Sequence, residues 1–162
     1  MCEVKLVKSV EMFPVIKEIL KKGINVSITV TGMSMYPFLR EKIDRVELTN
    51  ASFTGIHRGD IVLILRGNGE YILHRIIRKE EYGFYIVGDA QQWIEGPLSP
   101  EQLIAVATAV SRRKRYIKCS SLWWKALSAA WLRILPFRYL IIRTYRQLSR
   151  IKQIKRIRGT LN

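Results

Sequence analysis

Along the first two thirds of the chain, hydrophobic and polar positions alternate in short runs; after that the period lengthens. Ile24-Asn25-Val26-Ser27-Ile28-Thr29-Val30-Thr31 places apolar side chains on one face and small polar ones on the other, which predicts a half-buried strand. Ahead of it, Ser9–Lys22 carries Val15, Ile16, Ile19 and Leu20 at helical spacing. Pro14 suits the first turn there and Gly23 the end, so a short helix is expected. Strands are expected again at Asp44–Leu48, Asp60–Arg66, Tyr71–Arg78, Phe84–Val87 and Leu103–Val110. Between them lie turn signals: Gly67-Asn68-Gly69, Glu81-Tyr82-Gly83 and Ser99-Pro100. Many short strands joined by tight turns predict a mainly β fold, a small coiled antiparallel sheet or partial barrel.

Past residue 111 the period becomes helical. Leu122, Trp123, Ala126, Leu127, Ala130, Trp131 and Ile134 share one broad helical face, with Lys118, Lys125 and Arg133 off it. Pro136 interrupts. Ile141, Tyr145, Leu148, Ile151, Ile154 and Ile157 then form a second stripe flanked by Arg143, Arg146, Arg150, Lys155 and Arg158. The organisation expected is an N-terminal helical segment over 1–23, a β domain over 24–111 and a basic amphipathic helical tail over 112–162.

Charge sharpens that division. Residues 1–111 hold 13 Lys and Arg against 13 Asp and Glu, whereas residues 112–162 hold 15 Lys and Arg and no acid. The whole net charge of +15 therefore sits on the tail. A uniformly basic nucleic-acid-coating protein does not divide this way. Cys2 and Cys119 have no metal-ligand spacing and read as free thiols, which argues against a disulfide-stapled secreted domain. The start of the chain mixes charges and lacks the apolar stretch of a secretory signal, and no window approaches the roughly 18 apolar residues of a membrane span. A cytoplasmic or peripheral membrane location is expected.

Candidate chemistry lies in the neutral part. Ser34 stands between Gly32 and Pro37 at the end of a strand, a turn position open to an attacking nucleophile, although most turn serines only make turns. A serine needs a base, and imidazole titrates near neutral pH. His57 lies in the polar loop Gly55-Ile56-His57-Arg58-Gly59 and reads as a solvated histidine. His74 lies in the apolar strand Tyr71-Ile72-Leu73-His74-Arg75-Ile76-Ile77, where a satisfied core histidine is the plain alternative.

Four segments in order, Thr31-Gly32-Met33-Ser34-Met35-Tyr36-Pro37, Arg58-Gly59-Asp60-Ile61-Val62, Leu73-His74-Arg75-Ile76-Ile77 and Val87-Gly88-Asp89-Ala90, resemble the boxes of type I signal peptidases, a superfamily shared with self-cleaving repressors. The stretch Leu98–Val110 is similar to the strand after the last box, so the resemblance covers roughly Val26–Val110. It implies a coiled antiparallel β domain with Ser34 as acyl-forming nucleophile. Histidine at position 74 matches the branch found in the endoplasmic reticulum, archaea and sporulation, where it is the general base; the bacterial housekeeping branch has lysine. An acid in that branch orients the histidine. Asp89 matches the Gly-Asp box, and Glu95 stands where the family usually has Asp, so both are candidates, Asp89 first. The oxyanion would be held by the Ser34 backbone N–H, because Gly32 stands where some relatives have a hydroxyl. Met33, Met35, Tyr36 and Phe38 would form an apolar cleft or core around the serine. Substrate would lie extended beside Val30–Gly32 and near Tyr71–Leu73.

The function expected is that of a serine endopeptidase cleaving a leader or signal segment, with no metal or cofactor. The partner classes are a peptide substrate and, through the tail, an anionic membrane surface, with Trp123, Trp124, Trp131, Phe137 and Tyr139 in the headgroup zone. No base-reading motif is present, so no specific nucleic acid is expected. The competing expectation is a non-catalytic peptide-binding module or an adaptor dominated by its tail.

Overall fold

The computed structural model describes residues 9–113 and 115–137. Helix α1 (Ser9–Lys21) precedes β1 (Val26–Thr29), β2 (Asp44–Asn50), β3 (Ile61–Leu65), β4 (Tyr71–Lys79), β5 (Phe84–Val87), β6 (Glu95–Leu98), β7 (Leu103–Arg112) and β8 (Arg115–Lys118), and helix α2 (Leu122–Ile134) follows. All eight strands join one antiparallel sheet in the order β1-β2-β7-β3-β4-β5-β6, with β8 also on β7. The protein is mainly β, and its sheet is open, with β1 and β6 at its ends.

The unbroken apolar run of β3 follows from its place. Ile61 and Leu63 join one core cluster with α1 and α2, while Val62 and Ile64 join a second cluster on the other face. A strand covered on both sides loses its alternation. Helix α1 closes the first core with Phe13, Ile16 and Leu20, and Phe13 stacks on Tyr71 with ring centroids 4.4 Å apart. Pro14 lies inside α1 rather than in its first turn, and Val15 is exposed. Burial of the Phe13–Ile16–Leu20 face offsets the missing N–H.

Two strands differ from the sequence expectation. The Glu95-Gly96-Pro97-Leu98 stretch of β6 pairs with β5 although it contains Gly and Pro, as an end strand can, because it has a neighbour on one side only. Strand β8, within the cationic run, pairs with β7 from Ala109 to Arg112. The sheet therefore continues past residue 111. Arg112 belongs to it: its guanidinium binds both carboxylate oxygens of the buried Asp44, at 2.8 and 2.6 Å, and the Phe38 carbonyl.

Helix α2 starts where expected, with Ser121 Oγ accepting the Trp124 N–H, but it is rotated from the expected face. Trp124, Ser128 and Trp131 are buried, whereas Leu122, Trp123, Ala126, Leu127, Ala130 and Ile134 are exposed. Of the face read from the sequence, Trp131 alone is turned inward. The rotation has a polar cause. Arg75 Nη1 donates to Ser128 Oγ at 3.0 Å, and Trp131 Nε1 donates to Asp89 Oδ1 at 3.0 Å. The second predicted tail helix, and Tyr139, lie outside the described residues. Among the described residues no helix is long and apolar enough to cross a membrane.

Candidate active site

The site is built where β4 and β5 meet the loop between β1 and β2. Gly32 has φ 84°, a left-handed conformation that favours glycine, and it lets the chain leave β1. The loop is then pinned: Tyr36 N–H donates to the Met33 carbonyl, Leu39 N–H to that of Met35, and Lys42 N–H to that of Val30. Met35 and Phe38 are core residues, whereas Met33 is exposed and Tyr36 half-buried. Ser34 between them is half-buried.

Ser34 is held against the end of β5. Its carbonyl accepts the Ala90 N–H at 2.7 Å, and a Cβ on Gly88 would come within 2.8 Å of the same oxygen. Glycine is needed at 88 for this close approach. On β4, Arg75 pairs with Val87, so one further step along the ladder brings His74 level with Gly88. His74 and Gly88 each adjoin that last β4–β5 pair, so the Ser34 turn meets the sheet next to the strand position of His74.

Alternation along the two strands explains the paired motifs. His74 and Arg75 are adjacent, so their side chains leave by opposite faces. Asp89 follows Arg75: Nε and Nη2 of Arg75 each reach a carboxylate oxygen of Asp89 at 2.8 Å, both residues are fully buried, and the guanidinium lies 4.3 Å over the Phe38 ring. Arg75 Nη1 also donates to the Gly59 carbonyl at 2.9 Å. Asp89 thus ties β4, β5 and α2 together across from the histidine. Glu95, at the start of β6, accepts from Arg66 Nε and Nη2 at 2.7 and 2.5 Å.

His74 is buried, and its Nδ1 has no hydrogen-bond partner among the described residues. Burial pushes its pKa down from 6.5 to about 4; the Glu95 carboxylate pulls it upward and Arg66 opposes that pull. The ring is neutral at pH 7 and able to accept a proton. Ser34 Oγ and the imidazole are not hydrogen-bonded to each other, and among the described residues no acceptor engages the Ser34 N–H. The Ser34 turn rests on Gly88 and Ala90 beside the end of the β4–β5 pairing, the Glu95 carboxylate acts on His74 through its charge, and Asp89 is engaged by Arg75.

Gln91 was not legible as a site residue. Its Oε1 is, with His74 Nδ1, one of two buried side-chain polar atoms without a partner among the described residues, and it would lie 2.6 Å from a Cβ on Gly88. The orphan Gln91 oxygen therefore lies beside the Ser34–Gly88 contact. The signal in the sequence was only Gln91's place two residues beyond the Gly-Asp pair. Trp93 and Ile94, next along the chain, are exposed like Met33.

His57 is exposed in its loop, where its N–H caps Asp60 Oδ2 at 2.8 Å. Cys119 is half-buried, with its thiol pushed up to about 12 by burial; Cys2 is outside the described residues. Among the described residues no three His, Cys, Asp or Glu side chains gather as a metal site. No protein-family model matches the chain, and no curated protein matches it.

The buried neutral histidine makes stability depend on pH. Between about pH 4 and 6.5 the unfolded chain binds a proton that the folded chain does not, so stability rises with pH through that window and is lost as pH falls through it. The separation of the two values corresponds to about 3 kcal/mol. Urea midpoints measured from pH 7 to pH 4 should fall for the parent and fall distinctly less for His74→Gln.

Proposed function

We propose that the chain is a serine endopeptidase of the signal-peptidase type that removes a leader or signal segment from a peptide. The observation that carries the reading is the seating of the Ser34 turn on Gly88 and Ala90, beside the Arg75–Val87 pair and next in sequence to a buried His74 whose Nδ1 has no partner among the described residues. Ser34 Oγ attacks the scissile carbonyl carbon while its proton passes to the imidazole. The oxyanion so formed is met by the Ser34 N–H, which no acceptor engages among the described residues, a donor of a kind worth about 10²–10³ in rate. The imidazolium returns its proton to the leaving amine as the C–N bond breaks, which leaves an acyl group on Ser34. Water, deprotonated by the same imidazole, then releases the acid. The dyad needs neither metal nor cofactor for these steps.

A base pushed down to about 4 is a weak acceptor, and an acceptor for Nδ1–H strengthens it when the imidazolium forms. The Glu95 carboxylate already favours the imidazolium through its charge, although Arg66 engages it. The location that accompanies this reading is cytoplasmic or peripheral to a membrane.

The reading is tested by incubating the purified chain with a mixture of unfolded precursor peptides and sequencing new termini by mass spectrometry. Discrete new termini with the parent and none with His74→Ala are expected. No new termini with either, or the same termini with both, would remove the peptidase reading and leave a binding module.

A further inference from the structure

Helix α2 has three faces. Trp124, Ser128 and Trp131 are turned into the body. Trp123, Leu127, Ala130 and Ile134 recur at the spacing that lines one side of a helix, and all four are exposed, Trp123 at 73%, Leu127 at 42% and Ile134 at 38%. Leu122 at 87% and Phe137 at 64% lengthen the apolar surface at its two ends. The third face carries Lys125 and Arg133. With Arg58 they line a cleft of about 420 Å³ between α2 and the start of β3. None of these three cations has an acidic partner among the described residues. Asp60, the acid on the cleft wall, accepts the His57 N–H.

We propose that the outward side of α2 is a docking surface for an anionic phospholipid membrane. The Trp123–Leu127–Ala130–Ile134 stripe enters the boundary between headgroups and acyl chains, and Arg133, at the flank of that stripe, meets the headgroups. Charge decides between occupants. Residues 138–162 contain eight Lys and Arg and no acid, so laying them on α2, or pairing two copies of α2, sets cations beside Lys125 and Arg133 with nothing to neutralise them. An RNA would neutralise the charge and leave the apolar stripe in water. An anionic bilayer satisfies both, as it does for basic amphipathic helices that lie in the interface, each cation near the surface adding about 1 kcal/mol. The tryptophans divide between two tasks: Trp124 and Trp131 hold the helix to the body, and Trp123 faces the lipid. The surface stands apart from the peptidase reading, since binding is measured without catalysis.

The test is co-sedimentation of the full chain with phosphatidylcholine vesicles with and without phosphatidylserine, at low salt. The parent should bind the phosphatidylserine vesicles and bind pure phosphatidylcholine more weakly. Trp123→Ser with Leu127→Ser should weaken binding by about tenfold or more, although every cation of residues 112–162 is retained. Ile134→Ser provides a second removal from the same stripe, expected to weaken binding in the same direction. Failure of the parent to sediment, parent-like binding by both variants, or binding to a single-stranded RNA without binding to vesicles would each overturn the proposal.

Discussion

Ser34→Ala is expected to lower peptide cleavage by at least about 10³-fold and to leave the fold unchanged. Removing the nucleophile of a serine–histidine unit eliminates the covalent route and leaves only what the oxyanion donor and binding supply. The hydroxyl is dispensable for stability, because Ser34 Oγ makes no hydrogen bond among the described residues and Ser34 is anchored through its carbonyl on the Ala90 N–H. Rates of appearance of new peptide termini, set beside thermal melts of the same preparations, measure the two effects. A large loss of rate with an unchanged melting temperature is the expected pair. A lowered melting temperature would mean that Ser34 is a structural turn residue.

Asp89→Ala is expected to have the opposite profile, with stability falling first. Arg75 and Asp89 are both fully buried and joined by two hydrogen bonds, and removing one partner of such a pair leaves an uncompensated charge in the core. The usual cost is about 3–5 kcal/mol, a large part of the stability of a domain this size. Trp131 Nε1 loses its acceptor in the same step, so α2 keeps its Ser128–Arg75 attachment but loses that of Trp131. Urea unfolding measures the loss, and a change in tryptophan emission before the main transition would report release of α2. Glu95→Ala should cost much less, because the Arg66–Glu95 pair is partly exposed and Arg66 also binds Glu70. If Asp89→Ala destabilises no more than Glu95→Ala, the Arg75–Asp89 pair is not the tie between sheet and helix.

The two substitutions show which parts of the molecule were legible in the sequence. Strict alternation at Val26–Thr29 and the apolar runs of β3 and β5 announced themselves, because burial on one or two faces leaves a local pattern. Ser34 was legible as a turn residue after β1, and His74 as a residue inside the apolar strand β4. The role of Asp89 was half legible. Its box was visible, but the choice between His74 and Arg75 as its neighbour depends on the parity of two strands paired in space. Strands β6 and β8 were missed because each is short and owes its place to a partner, and Gly96, Pro97 and Arg115 mask any local preference. The orientation of α2 was missed for another reason. The helix is apolar on most sides, and its buried side is selected by two polar hooks, Ser128 to Arg75 and Trp131 to Asp89, each linking residues more than 40 positions apart. Gln91 was missed because an amide in a loop has no pattern until its oxygen is seen buried beside Gly88.

The placement of charge gains meaning from this geometry. The neutral portion holds Ser34, His74 and every acid, and the cationic portion divides at β8. Arg112 and the β8 backbone belong to the sheet, whereas Lys125 and Arg133 ride on a helix whose free side is apolar. The same helix thus meets the buried Arg75–Asp89 pair on one side and presents an exposed apolar stripe on another.

The central claim, that Ser34 is a nucleophile activated by His74, is tested most directly by a serine-reactive phosphonate ester followed by intact-mass and peptide-level mass spectrometry. The phosphonyl group should appear once, on the peptide that contains Ser34, in the parent, and should be absent from Ser34→Ala and strongly reduced in His74→Ala. A parent that stays unmodified, or one modified equally well when His74 is replaced, would contradict the claim.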